Sequence, residues 1–286
     1  MNLYSITDIT ALLDSHGFSF AKKYGQNFLI NEGVPKKIAE SSCQGAVRPR
    51  ACIEIGPGIG SLTLQLSRVY DKVVCFEIDT RLPPILSETL SGCQNVEIIL
   101  EDILKADLNG VIREKFEGYS VSVCANLPYY ITGDIIMRLL ESNIQFESVT
   151  VMIQKEVAER LTSKPGDSCY GAITAAVNYY ADVRRLFNVS PGNFIPRPKV
   201  DSTVIRLTPY KNKPVSPRSE ALFMRVLHGA FAQRRKTLIN SLYSVLGGDY
   251  TKDELTYALG IAGISPSCRG ETLGISDFAK ISDALK

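Results

Sequence analysis

Asn126-Leu127-Pro128-Tyr129 places a side-chain amide, a stiffened turn and an aromatic face at four consecutive positions, directly after an apolar run. These residue types suit one chemical problem. An exocyclic nucleobase amine such as adenine N6 is a poor nucleophile, because its lone pair is delocalised into the ring. Hydrogen bonds from N6–H to the Asn126 side-chain oxygen and the Leu127 carbonyl would favour a more tetrahedral nitrogen. They would also stabilise positive charge as that nitrogen attacks an electrophile, an electrostatic effect of opposite sign to an oxyanion hole. Pro128 stiffens the turn and lacks an N–H that would compete for acceptors. Tyr129 offers a face on which an extruded base can stack. The plainer alternative is a strand-to-loop turn closed by an aromatic plug.

The electrophile is suggested upstream. An apolar run leads into Glu54-Ile55-Gly56-Pro57-Gly58-Ile59-Gly60, with a helix expected from near Ser61. Glycines let a ligand approach the main chain closely. A dinucleotide fingerprint wants its third glycine at position 61, where this chain has Ser61. The alternating G-x-G-x-G form instead points to S-adenosylmethionine, with Gly56 and Gly58 against the methionine half. Glu77, 21 residues after Gly56, is placed to accept from both ribose hydroxyls. Asp102, at the end of the next run, can accept from the adenine amino group, with Ile78 and Ile103 closing on the ring faces. Any one of these acids alone reads as a solvated loop residue. Three features at successive strand ends of one sheet make a constellation, because ligands of open α/β sheets bind at that carboxyl edge.

The elements that position them follow from periodicity. Strands are expected near 51–56, 72–78, 95–100, 119–125 and 147–153, and helices near 33–42, 61–69, 81–91, 132–141 and 154–161. Strand alternating with helix predicts an α/β fold with a parallel sheet covered on both faces. Runs near 183–189 and 202–208 have prolines and no helix between them, which predicts an antiparallel hairpin at the sheet edge. After Pro209 the composition shifts to a linker-like stretch and four short helices. A division near Tyr210 follows, separating a cofactor-binding domain (1–210) from a small helical one (211–286).

Composition narrows the classes. The chain of 286 residues is 45% hydrophobic and 22% charged, as expected of a globular protein. No apolar run approaches the roughly 20 residues that span a bilayer. Met1 to Phe18 carries two aspartates and no Lys or Arg, unlike a secretory signal or transit peptide, so a cytoplasmic location is expected. The seven cysteines are scattered with no C-x-x-C pair, and three lie inside strand-like runs. They read as core thiols, and with only two histidines no metal site is expected. Net charge is +2, but Arg184 to Lys236 holds twelve Lys/Arg against two acids, leaving the remainder at −8. A basic segment on an otherwise acidic chain is the footprint of a polyanion binder, with a solvated basic face as the alternative.

In these motifs the chain resembles the ribosomal RNA adenine N6,N6-dimethyltransferases, and within them the small-subunit branch whose loss confers kasugamycin resistance. Lys22-Lys23-Tyr24-Gly25-Gln26-Asn27-Phe28-Leu29 is similar to the family's N-terminal motif. The resemblance implies that Asn27 and Leu29 contact the cofactor. Glu54 to Gly60, Glu77, Asp102 and Asn126 to Tyr129 match the cofactor and catalytic motifs, with Asn126 serving both. Asn193 to Ser202 is similar to the substrate-side loop, which implies that Phe194 stacks on the target adenine opposite Tyr129. Phe231 to Asn240 is similar to the small-subunit branch and not to the large-subunit branch that confers macrolide resistance. The fold so implied is Rossmann-like: a mostly parallel seven-stranded sheet with an antiparallel edge, plus a small all-α C-terminal domain. The implied substrate is two adjacent adenines of the 3′-terminal hairpin loop of small-subunit rRNA, within a pre-30S particle. Lys22, Lys23, Arg197, Lys199, Arg234, Arg235 and Lys236 are the expected RNA contacts, and a monomer is expected. Pro83-Pro84 departs from the family pattern and leaves the first turn of its helix open.

Two other readings of the same residues stand beside this one. The adenine target could lie in large-subunit rRNA or DNA, or the chain could act as an RNA-binding assembly checkpoint whose cofactor site is incidental.

Overall fold

The computed structural model describes residues 1–21 and 25–285. Lys22 and Lys23, expected to touch RNA, lie outside the described residues. Two compact units emerge, one of Met1–Ala158 with Val183–Pro209, the other of Glu159–Asp182 with Tyr210–Lys286.

In the first unit the elements run α1 (Ile6–Ser15), β1 (Phe28–Leu29), α2 (Gly33–Ser42), β2 (Arg50–Ile55), α3 (Thr63–Val69), β3 (Lys72–Glu77), α4 (Pro83–Thr89), β4 (Val96–Leu100), α5 (Leu108–Lys115), β5 (Ser120–Asn126), α6 (Thr132–Leu140) and β6 (Val149–Gln154). Next come α7 (Lys155–Leu161), α8 (Ala172–Tyr180) in the second unit, then β7 (Ala181–Val189), β8 (Phe194–Ile195) and β9 (Ser202–Pro209). Seven strands form one sheet in the order β4-β3-β2-β5-β6-β9-β7. The pairs among β2 to β6 are parallel, and β9 runs antiparallel to β6. The central strands are buried almost throughout, as a sheet covered on both faces requires. Because β2 pairs with β3 on one side and β5 on the other, the order reverses at β2. Their carboxyl ends there diverge into the crevice where such sheets bind ligands.

Several elements differ from expectation for physical reasons. The helix after the glycine turn starts at Thr63 rather than near Ser61. The prolines that cast doubt on α4 occupy its first turn, where no N–H is missed and the fixed φ suits the helix. Helix α5 was not read from the sequence: it is short, buries only Leu108 and carries Gly110 near its start, a poor helix former. Helix α8 was also missed, because Ala175, Ala176, Val177, Tyr179 and Tyr180 are all buried and erase the amphipathic pattern. Strands β1 and β8 pair with each other antiparallel, and two-residue runs carry no readable alternation.

In the second unit α8 is joined by α9 (Glu220–Phe231), α10 (Leu238–Leu246), α11 (Lys252–Ile261) and α12 (Ile275–Ala284). Tyr179 lies 4.6 Å from Phe223, Tyr170 lies 5.7 Å from Phe231, and Phe231 lies 5.9 Å from Phe278, ring to ring. These contacts draw 159–182 into the helical unit. The single division expected near Tyr210 therefore becomes an excursion as well as a boundary. The seven cysteines are free, with Cys52, Cys75 and Cys124 buried. No helix among the described residues is long and apolar enough to cross a membrane.

Candidate active site

A cleft of about 1050 Å³, measured with its open mouth, sits over the carboxyl ends of β2, β3, β4 and β5. It is lined by Asn27, Leu29, Gly56, Gly58, Glu77, Ile78, Asp102, Ile103 and Asn126 to Tyr129. Every residue expected to hold a cofactor therefore faces one space.

The glycine turn holds its shape by backbone geometry and by contact. Gly58 has φ +60°, and a Cβ there would lie 3.1 Å from both Cδ1 and Cε1 of Phe28. Gly60 has φ +90°, and its Cβ would lie 3.0 Å from Leu90. Side chains are thus excluded at positions 58 and 60 by the left-handed backbone and by neighbours already in place.

Glu77 ends β3 and is 5% exposed. Its Oε1 accepts from the backbone N–H groups of Ile78 (2.8 Å) and Asp79 (2.7 Å). Burial pushes this carboxyl above its ordinary value, opposed by those donors. Asp102 accepts the Leu104 N–H through Oδ1 at 3.0 Å. Ile78 is half exposed and Ile103 buried, so the two supply one open and one closed apolar wall.

The amide of Asn126 is oriented by a partner far away in sequence. Its Nδ2 donates to the Asn27 carbonyl at 3.0 Å, which leaves Oδ1 as the acceptor for an incoming amine. The Leu127 N–H donates to the Met152 carbonyl at 3.1 Å, locking the turn to β6. Pro128 accepts from the Thr132 hydroxyl at 3.1 Å through its carbonyl. The Tyr129 hydroxyl lies 2.9 Å from the hydroxyl of the fully buried Ser202, which fixes the ring as a wall of the cleft. Burial raises the pKa of that phenol, so it stays neutral.

Several side chains hold the site together in ways that the sequence did not assign, although Gln26 and Glu54 lie inside the motifs quoted above. Gln26 donates to Asp79 at 2.8 Å, tying the N-terminal motif to the end of β3. Hydrogen bonds from Arg81 hold the Asp79 carboxyl below its ordinary value. Glu54 is 1% exposed, lines the cleft and accepts from the Cys75 thiol at 3.4 Å. Burial pushes its carboxyl up to about 7, partly offset by the nearby Thr63 hydroxyl and by the Cys75 thiol.

Phe194 departs from expectation. Its ring is 3% exposed, packed with Leu29, Met152, Val189 and Val204 in the core, and does not line the cleft. The β1–β8 pairing sets Phe194 opposite Leu29 and so turns the ring inward. In this arrangement it presents no face to a base across from Tyr129. Arg197 and Lys199 follow it on an exposed loop. In the second unit Arg234, Arg235 and Lys236 are exposed between α9 and α10. Arg234 is partly engaged, with the Ser168 carbonyl and with Glu271 at 3.5 Å.

The comparisons with known proteins agree with this geometry. The family model described as ribosomal RNA adenine dimethylase matches residues 17–281. The chain belongs to that family. It is 49% identical to ribosomal RNA small subunit methyltransferase A of Shouchella clausii (strain KSM-K16), over 96% of this chain and 93% of that one. The protein of the same name from Geobacillus thermodenitrificans (strain NG80-2) is also 49% identical, over 96% and 94%. Among solved structures, a dimethyladenosine transferase from Plasmodium falciparum aligns with TM-score 0.74 at 26% identity, covering 88% of this chain and 95% of the other. The 23S rRNA methyltransferase ErmE shares the fold, with TM-score 0.67 at 24% identity over 90% and 99%.

The cofactor of this family's chemistry is S-adenosylmethionine, and the cleft fits it. A turn whose glycines let a ligand reach the main chain can take the methionine half, and the buried carboxylate of Glu77 can take the ribose. Apolar walls at Ile78 and Ile103, with Asp102 at their rim, match an adenine ring and its amine.

Proposed function

We propose that this protein methylates N6 of two adjacent adenines in the 3′-terminal hairpin loop of small-subunit rRNA, twice each, within a pre-30S particle. The carrying observation is the orientation of Asn126: its Nδ2 is committed to the Asn27 carbonyl, so Oδ1 points its lone pairs at the substrate amine. When bound, S-adenosylmethionine supplies an electrophilic methyl on a sulfonium. Asn126 Oδ1 and the Leu127 carbonyl accept from N6–H, localise the nitrogen lone pair and stabilise the charge it gains as the N–C bond forms and the C–S bond breaks. The extra proton then leaves to water, since a methylated arylammonium is a strong acid. Tyr129, steadied by Ser202, supports the extruded base on one face. Arg197, Lys199, Arg235 and Lys236 supply exposed positive charge that positions RNA through its phosphates without reading bases. The cofactor and catalytic residues belong to 1–210, while 211–286, together with 159–182, supports the RNA. A cytoplasmic monomer accords with this role. The reading is supported by relatives bearing the small-subunit name at 49% identity.

The test is to incubate the protein with undermethylated small subunits and S-adenosylmethionine, then map methylated adenines. Dimethylation at two adjacent adenines of the 3′ hairpin is expected, with Asn126→Ala about 10²- to 10³-fold slower. Methylation confined to another RNA would refute the substrate, and full activity of Asn126→Ala would refute the mechanism.

A further inference from the structure

Tyr130 follows the catalytic tetrapeptide and is used by none of the steps above. Its side chain is 60% exposed, yet it lines the mouth of the cleft. A Cβ built on Gly25 would fall 3.6 Å from Tyr130 Cε1, so the ring lies beside the backbone that leads to Asn27. Tyr129 is anchored through its hydroxyl to Ser202. Among the described residues Tyr130 has no such hydrogen bond and stacks on no other aromatic ring. Among the described residues, nothing bonded to or stacked on this large exposed aromatic accounts for its position beside the half-buried, anchored Tyr129.

The substrate chemistry supplies a partner. Drawing a base out of its stack bares the face of the base beside it. A π-face at the mouth of the pocket can take up that neighbour whatever its identity, because every base stacks. We propose that Tyr130 is a stacking site for the nucleobase flanking the adenine held at Asn126, the neighbouring adenine in the substrate proposed above, on which this inference rests. The site belongs to substrate RNA and not to the cofactor: Tyr130 is exposed to water, whereas Glu77, which would hold the ribose, is buried at the end of β3.

The test compares the full chain with Tyr130→Ala, Tyr130→Phe and Tyr130→Leu. The probe is an RNA hairpin with two adjacent loop adenines, one replaced by fluorescent 2-aminopurine. Wild type and Tyr130→Phe should quench the probe. Tyr130→Ala and Tyr130→Leu should lose the quench and bind about tenfold more weakly, a loss in the range of one base–aromatic stack. On undermethylated small subunits the same two variants should raise KM for the particle more than they lower kcat. Affinity for S-adenosylmethionine, read by calorimetry, should be the same in all four proteins. An absent wild-type quench, unchanged binding by Tyr130→Ala, or a parallel loss of cofactor affinity would overturn the site. Leucine performing as well as phenylalanine would also overturn it, reducing Tyr130 to an apolar wall. If wild type fails to methylate adjacent adenines, the proposed function fails. If it succeeds and Tyr130→Ala is indistinguishable from it, only the stacking site fails.

Discussion

Adding one methyl group to the glycine turn should separate cofactor binding from folding. Gly58 has φ +60° and its missing Cβ would sit 3.1 Å from two carbons of the Phe28 ring. An L-residue in the left-handed region costs about 1–2 kcal/mol. In Gly58→Ala the cofactor-free loop relaxes out of that region, so binding must restore the strained form. Phe28 must also retreat by a few tenths of an ångström, and it carries Asn27 and Leu29 with it along the wall of the cleft. This crowding adds about 1 kcal/mol, at the low end for overpacking. The sum of about 2–3 kcal/mol predicts an affinity for S-adenosylmethionine about 30- to 150-fold weaker. Gly45 is the control, with φ +82° and nothing within 4 Å of its Cβ position, away from the cleft. Gly45→Ala should lower stability by about 1 kcal/mol and leave cofactor affinity unchanged. Calorimetric titration with cofactor and urea unfolding of both variants measure the two quantities. Wild-type affinity in Gly58→Ala, or an equal affinity loss in Gly45→Ala, would refute the reasoning.

Glu54 is fully buried with its carboxyl raised from 4.5 to about 7, so between those values the folded state holds a proton that the unfolded chain releases. Stability of the cofactor-free protein should therefore fall as pH rises from about 4.5 to 7. Glu54→Gln should flatten that slope and gain up to about 3 kcal/mol at pH 8; an unchanged slope in urea titrations would contradict this. Ser202→Ala releases the Tyr129 hydroxyl and should lower kcat about five- to tenfold, the worth of one hydrogen bond, with the cofactor KM unmoved. Tyr129→Phe should match it in steady-state assays, and the double variant should be no worse than either. Arg235→Ala should weaken RNA binding at all sequences and reduce the dependence of log affinity on log salt by about 1, with cofactor affinity intact. A salt slope equal to wild type would remove Arg235 from the RNA contacts.

Much of the cofactor site was legible because it is written in local code. The glycine spacing, the acid 21 residues on and the tetrapeptide each sit at a strand end, and one sheet delivers strand ends to one edge. The relations among them were not legible. The Asn27 carbonyl that orients Asn126 lies 99 positions away, and Ser202 lies 73 from Tyr129. Phe194 shows why a motif resemblance does not settle a side chain's environment. A two-residue strand pairing, invisible to periodicity, turns the ring into the core. The excursion of 159–182 was hidden for a similar reason, since α8 is buried all round and carries no period.

By itself, the sequence determined the alternation of the main strands with most of the helices between them, the cofactor class and the chemical character of Asn126 to Tyr129. Those properties depend on residue type and short spacing, which physics reads without knowing the rest of the chain. The tertiary structure alone decided which end of the Asn126 amide is tied to the Asn27 carbonyl, that Tyr129 is braced while Tyr130 stands open, and that Phe194 is buried. Each of these depends on contacts between segments distant in the chain. Such contacts form only when the sheet closes the order β3-β2-β5-β6-β9 and brings residues 126 and 202 to one edge, where the Asn27 carbonyl meets the Asn126 amide.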